Sequence, residues 1–223
     1  MSQPLGLPAE PLRWAFQQLL AAYGPQHWWP AQSAFEVMLG AILTQNTAWT
    51  NVEKAIANLR QAEMLDTQRL AEADPAQLAQ IIRPVGYFNI KTQRLQAFCR
   101  FYLQQGHERL AALSTDVLRQ TLLGVKGVGR ETADDMLLYA FERPVFVIDA
   151  YSRRLFSRLG LCQGDEPYDS LRLGLEQALR GDVGLYNEYH GLIVRHAKQH
   201  CRKRPLCADC PLRPRCAQAQ LSA

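Results

Sequence analysis

Only one short run in this chain, Val145 to Ile148, reads as a strand, and a lone strand has no partner to pair with. The other apolar residues recur at helical spacing. Leu12, Phe16 and Leu19 fall at i, i+4, i+7, as do Leu95, Cys99 and Tyr102, while Phe35, Met38, Leu39 and Ile42 follow i, i+3, i+4, i+7. Breakers separate these stripes at Gly24-Pro25, Pro30, Pro75, Pro84-Val85-Gly86, Gly106, Gly124, Gly160, Gly164 and Gly181. Asp66, Asp74 and Asp116 stand where helix caps are expected. The pattern predicts an all-α protein of about ten short helices, without a regular repeat or a low-complexity linker.

At 223 residues the chain can build one sizeable core or two small lobes. Its hydrophobic content of 48% and charge of 21% are ordinary for a folded soluble protein. The first residues lack a basic segment followed by an apolar one, so no secretory signal is expected. The longest apolar run, Val37 to Leu43, is far shorter than the roughly 18 residues that span a bilayer. A soluble cytoplasmic protein with no membrane partner is the expectation. Its net charge of +4 is concentrated: Arg195, Lys198, Arg202, Lys203, Arg204, Arg213 and Arg215 face a single acid, Asp209, in the same stretch. Such a segment is either a solvated surface or one that meets phosphates.

Threaded through that basic stretch are Cys201, Cys207, Cys210 and Cys216, in the pattern C-x5-C-x2-C-x5-C. Cys99 and Cys162 lie in helical surroundings and read as core thiols. Without an export signal, disulfides are not expected, and four thiols this close suit a metal centre. Tetrahedral sulfur ligation fits either zinc or an iron–sulfur cluster. Either would stiffen the loop and hold Arg202, Lys203 and Arg204 outward.

Gly127-Val128-Gly129 would make a tight turn opening a helix near Arg130, and amides exposed there form a site suited to a phosphate. A plain inter-helix turn is the alternative. Asp149 follows one helix later, after the apolar run, where it would cap the helix from Ala150. A cap residue is fixed in direction at a helix mouth, so capping and catalysis are compatible.

Taken together, L-x-G-V-x-G-V-G-R-x-T-A at 122–133, V-I-D at 147–149 and the four-cysteine loop resemble the endonuclease III branch of the helix-hairpin-helix DNA glycosylase superfamily. The likeness runs from about Leu12 to Cys216. It implies two helical lobes with a DNA cleft between them: residues 31–143 with the hairpin, and residues 1–30 with 144–223, including the loop 201–216. It implies a [4Fe–4S] cluster in preference to zinc, and a monomer acting on double-stranded DNA that contains damaged bases. Lys126, the hairpin and Arg130 would then hold phosphates. Gln45 or Asn46, in L-T-Q-N-T, would fill the gap left by a flipped nucleotide.

Bifunctional members of that family carry a lysine where Glu131 stands here. A carboxylate cannot form the Schiff base, so the resemblance implies a monofunctional glycosylase in which Asp149 stabilises the cationic sugar and directs water. Glu131 would support it. Trp28, Trp29 and Trp49 are candidates for the base pocket, and their faces suit a cationic alkylated purine. L-T-Q-N-T, W-W-P and K-G-V-G-R-E-T-A resemble the 3-methyladenine glycosylase subgroup. The competing readings are an oxidised-pyrimidine glycosylase/AP lyase, to which Glu131 is ill suited, and a non-catalytic DNA-binding helix-hairpin-helix protein. Mismatch adenine glycosylases need a glutamate where Gly40 falls, and Glu36 lies one turn too early.

Overall fold

The computed structural model describes residues 3–221. Among these, thirteen α-helices form and no strand does. The fold is all-α, as the periodicity predicts. The helices beyond the expected ten are pieces of five to seven residues that the breakers cut from longer stripes. The chain divides into two compact units. One is Ala31–Arg143; the other joins the segment up to Pro30 with the segment from Pro144 onward.

The Ala31–Arg143 unit is built around α2 (Ala34–Leu43). Ser33 caps it by accepting the Glu36 N–H at 3.2 Å, and every residue from Val37 to Leu43 is buried. Burying Met38, Leu39, Ile42 and Leu43 contributes roughly 1.5–3 kcal/mol each, an upper bound for a realistic unfolded chain. Around α2 lie α3 (Trp49–Gln61) and α6 (Phe88–Gln105), and α4 (Thr67–Glu72) and α5 (Pro75–Ile81) pack on α6. Asp66 and Asp74 cap α4 and α5 through the N–H groups of Arg69 and Gln77, both at 2.9 Å. Asp116 does not cap its helix. Ser114 does, two residues earlier, taking the Val117 N–H at 3.4 Å. Asp116 lies instead in the first turn of that helix, where its charge complements the helix dipole.

After the short α7 (His107–Ala111) come α8 (Thr115–Leu123) and α9 (Arg130–Asp135), the two helices flanking the glycine turn. Arg119 of α8 and Asp134 of α9 pair through two bonds of 2.6 and 3.0 Å, with side chains 8% and 0% exposed. This buried ion pair fixes the two helices against each other. From Met136 to Ala140 the chain widens into a π-helical turn that packs on α2.

In the other unit, α1 (Ala9–Tyr23) packs against α11 (Tyr168–Leu179) and α12 (Val183–Gln199), and α10 (Ala150–Arg158) packs on α12. Phe146, Phe156 and Tyr189 meet edge-on or tilted at its centre, with the Tyr189 hydroxyl donating to the Leu12 carbonyl at 2.9 Å. The strand-like run Val145 to Ile148 is fully buried yet pairs with no strand. Its amides are served by side chains: Phe146 donates to Glu176 at 2.9 Å and Ile148 to the Tyr168 hydroxyl at 3.3 Å. A buried backbone needs partners, and α11 supplies them here. The short α13 (Ala217–Leu221) follows the last cysteine.

Candidate functional site

In the Ala31–Arg143 unit the glycine turn is closed by the Val128 N–H donating to the Val125 carbonyl at 3.0 Å, and Val128 itself is buried. Its two glycines are there for different reasons. Gly127 has φ +92°, and a Cβ on it would lie 2.3 Å from Cγ of Arg94. Both the backbone and the close passage of the Arg94 stem exclude a side chain. Gly129 has φ −91° and would meet no neighbour. It serves as the N-cap of α9 and brings no side chain to the first amides of that helix.

Gln45, Asn46, Arg94, the turn, Glu131 and Thr132 line one open pocket of about 460 Å³. Gln45 is committed inside it. Its amide nitrogen donates to the Gly127 carbonyl at 3.0 Å and to the Thr132 hydroxyl at 2.9 Å, while its carbonyl accepts from Arg94. A side chain so engaged cannot leave to fill a gap in DNA without breaking three bonds. Asn46 is different: it is exposed at the loop tip with φ +53°. Arg130 is the first residue of α9 and is exposed; Glu131 follows it on the pocket wall. Lys126 is exposed and lines a separate pocket with Arg100 and Phe101.

The loop carrying Asn46 is clamped at its base. Lys91 is buried and donates to the Leu43 and Val85 carbonyls, each at 2.9 Å, and the Thr47 hydroxyl donates to Val85 at 2.5 Å. Burial, with the charge of Arg94 second, lowers the Lys91 ammonium to about 8. The same ties hold the turn that presents Tyr87, 71% exposed with φ +45°. Lys91 and Arg94 escape the sequence reading because each acts through residues far along the chain, and Tyr87 because of its backbone. The positive φ of an exposed aromatic leaves no trace in composition. Trp49 opens α3 and is half-buried in this unit.

In the other unit Asp149 caps α10. Its Oδ1 accepts the Ser152 N–H at 2.7 Å and lies 2.9 Å from the Ser152 hydroxyl, which in turn takes the Asp149 N–H at 2.8 Å. D-x-x-S is here a capping box, a local pattern carried by residues three apart in the sequence. The second oxygen, Oδ2, is 3.7 Å from Nε2 of His190 on α12. Burial pushes the Asp149 carboxyl up. The neighbouring His190 imidazole, then the Ser152 donors, outweigh it and hold the group below its ordinary value of 3.8. The carboxylate is therefore ionised and aimed.

Trp28 and Trp29 meet edge-to-face at 6.2 Å. Trp28 packs on Gly191, where a Cβ would come within 2.8 Å of its own, and the Lys198 ammonium stands 5.7 Å from its ring. One face of Trp28 thus already serves a cation of the protein. Trp49, the third candidate, belongs to the Ala31–Arg143 unit.

Cys201, Cys207, Cys210 and Cys216 line one pocket with Leu155, Leu206 and Leu212. None is in a disulfide. Among the described residues, no three His, Cys, Asp or Glu are grouped closely enough to hold a single metal ion. Burial first, then the neighbouring thiols, raises the Cys210 thiol above its ordinary range. Helix α10 grips this loop: Arg154 donates to the Cys201 carbonyl at 2.7 Å, and Arg158 donates to the Cys201 sulfur and to the Arg202 and Lys203 carbonyls. The side chains of Arg202, Lys203 and Arg204 are left exposed. No helix among the described residues is long and apolar enough to cross a membrane.

Comparison with known proteins puts both regions in one frame. The model of the HhH-GPD superfamily of base excision DNA repair proteins matches residues 39–180, a span that includes the glycine turn and Asp149. A Methanocaldococcus jannaschii protein provisionally named a DNA repair glycosylase is 44% identical over 205 residues, covering 90% of this chain and 93% of its own. Endonuclease III of Thermotoga maritima is 30% identical over 183 residues, 82% of each chain. Among solved structures, the H. pylori 3-methyladenine DNA glycosylase MagIII bound to 1,N6-ethenoadenine matches with TM-score 0.75 and 32% identity, over 86% of this chain and 98% of that one. A non-covalent endonuclease III–DNA complex shares the fold at TM-score 0.83 and 21% identity, over 97% of this chain and 98% of that one.

Proposed function

The chain belongs to the HhH-GPD superfamily of base excision DNA repair proteins, and within it we propose that it is a monofunctional DNA N-glycosylase that hydrolyses the bond between deoxyribose and an alkylated purine such as 3-methyladenine. Asp149 carries this reading. It is a largely buried, ionised carboxylate with one oxygen locked to its own helix and the other outside that lock, 3.7 Å from His190. Such a group can stabilise the oxocarbenium-like sugar as the base departs and direct the water that attacks it. An alkylated purine is already a good leaving group, so no strong general acid is required.

Glu131 supports the monofunctional assignment. It stands on the pocket wall beside the glycine turn, where an attacking amine would be needed for a Schiff base and a carboxylate cannot serve. Its role in the reaction is to shape the field around that pocket. The turn's amides with Lys126 and Arg130 would bind phosphates of the duplex, and Asn46 rather than Gln45 would enter the gap left by the flipped nucleotide, with the exposed Tyr87, on the neighbouring turn held by the same ties, as a second contact. The Trp28–Trp29 pair offers aromatic surface for the flipped base. A 32% identical relative solved with 1,N6-ethenoadenine favours a modified purine as the substrate.

The four cysteine thiols would hold a [4Fe–4S] cluster. Four thiols lining one pocket walled by leucines supply the sulfur donors and the apolar surroundings that such a cluster takes. Bound there, the cluster would pin the loop mechanically and offset the mutual repulsion of the thiolates. Arg202, Lys203 and Arg204 would then face DNA from a fixed backbone.

Duplexes carrying a methylated purine, an oxidised pyrimidine or a mispaired adenine, assayed in parallel with borohydride trapping, test the proposal. Release of methylated purine without a trapped covalent complex is expected. Release of oxidised pyrimidine with trapping would overturn it in favour of an AP lyase, and binding without release of any base would leave a DNA-binding protein.

A further inference from the structure

We propose that His190 is a positioning residue for the reaction, holding the free oxygen of Asp149 in the plane from which the carboxylate meets the sugar. The inference rests on the reading of Asp149 as the catalytic carboxylate. Ser152 secures only Oδ1, and it does so from within the same helix. A carboxylate anchored by one oxygen can still turn about its Cβ–Cγ bond. The second constraint comes from another helix: Nε2 of His190 on α12 lies 3.7 Å from Oδ2, with the two side chains 6% and 14% exposed. At that distance the two groups are neighbours rather than a formed hydrogen bond, and a small rotation of either closes the gap.

The surroundings make this more than a packing contact. Water has little access to either group, so the imidazole's dipole or charge acts on the carboxylate with weak screening. It is the leading influence keeping Asp149 ionised against its burial. The next residue on α12, Gly191, receives Trp28 against its backbone. One turn of α12 therefore touches both the carboxylate and the aromatic pair. A histidine placed there fixes the acid relative to the surface proposed for the base.

A purely structural histidine and a positioning one differ in what they change. We would measure single-turnover release from a methylated-purine duplex, duplex affinity and thermal stability for His190→Leu, His190→Gln and Asp149→Asn. The expected result is a rate about 10- to 100-fold lower in His190→Leu, the range for losing a hydrogen bond to a charged group. Affinity should be unchanged, and His190→Gln, which keeps an N–H donor, should recover most of the rate. A wild-type rate in His190→Leu, with Asp149→Asn inactive, overturns the proposal alone. A wild-type rate in Asp149→Asn overturns the reading of the site beneath it. If His190→Leu melts too early to assay, carbon NMR titration of the Asp149 carboxyl in His190→Gln and His190→Asn replaces it. The shorter asparagine should let the titration move upward and the glutamine should not; equal titrations overturn the proposal.

Discussion

Gly127 is fixed from outside its own segment: the Arg94 stem from α6 lies against it, and Gln45 from a loop still farther back binds its carbonyl. Asp149 is fixed mostly from within, by the fourth residue of its own capping box, with one contact from α12. The unit proposed to grip DNA is cross-braced by long-range side-chain bonds. The unit proposed to do chemistry relies on a local device that orients a charge. A grip must hold shape under load, so its parts are tied to one another. A catalytic carboxylate must point in one direction, so it is locked through one oxygen by its own helix and met at the other by a single side chain from α12.

Substitutions that strike one arrangement and spare the other test this contrast. Asp149→Asn keeps the cap acceptor and removes the charge. Base release should fall about 10²- to 10⁴-fold with duplex affinity retained, read by single-turnover release beside a binding titration. Its titration also has a sign. The folded-state value lies below the ordinary one, so the stability it adds is present above about 3.8 and is lost only as pH falls through the depressed value. Acid melts should therefore show wild type losing this contribution below the usual carboxylate range, and Asp149→Asn showing no such loss.

Next in size is Arg119→Ala, which takes the Arg119 guanidinium away from Asp134, itself 0% exposed. Breaking such a pair costs about 3–5 kcal/mol, and a drop of that size is expected in denaturant unfolding. Because the pair ties α8 to α9, duplex affinity should fall with it, while the Asp149 unit has no stake in that bond. A loss below about 1 kcal/mol would mean the two helices are held chiefly by their apolar contacts.

Both arrangements were legible in the sequence where they are local. The helical stripes, the Asp66 and Asp74 caps, the glycine turn and Asp149 as a cap all follow from neighbours within a few residues. Asp116 shows the limit even there, since Ser114 reached the orphan amide first. Val145 to Ile148 looked like a strand because buried extended backbone has the same apolar signature whether a ladder or side chains satisfy it. Arg94, Lys91 and His190 were illegible because their partners lie dozens of residues away, and nothing about an arginine, a lysine or a histidine on a helix announces which carbonyl or carboxylate it will meet.

Gly127→Ala comes third. The new methyl would collide with the Arg94 stem and force a left-handed backbone on alanine, at a cost of about 1–3 kcal/mol. Displacing Arg94 also frees the Gln45 carbonyl, so the loop bearing Asn46 should loosen and duplex affinity should drop further than stability alone explains. Amide hydrogen exchange over residues 43–47 reads that loosening directly. Protection unchanged from wild type would show that the loop is held by Lys91 and Thr47 without help from the turn.

Gly129→Ala is the smallest effect and the sharpest control. It lies two residues on, in the same turn, with an ordinary φ of −91° and open space where a Cβ would go. Alanine is a poorer N-cap than glycine, so a cost of about 0.5–1 kcal/mol is expected, without any change in exchange at residues 43–47. If a methyl at Gly129 nevertheless weakens duplex binding as much as one at Gly127, the reason cannot be strain or collision within the protein. It must be that the methyl stands where a phosphate approaches the first amides of α9, and the turn is then gripping DNA at its second glycine while the first serves only to let Arg94 pass.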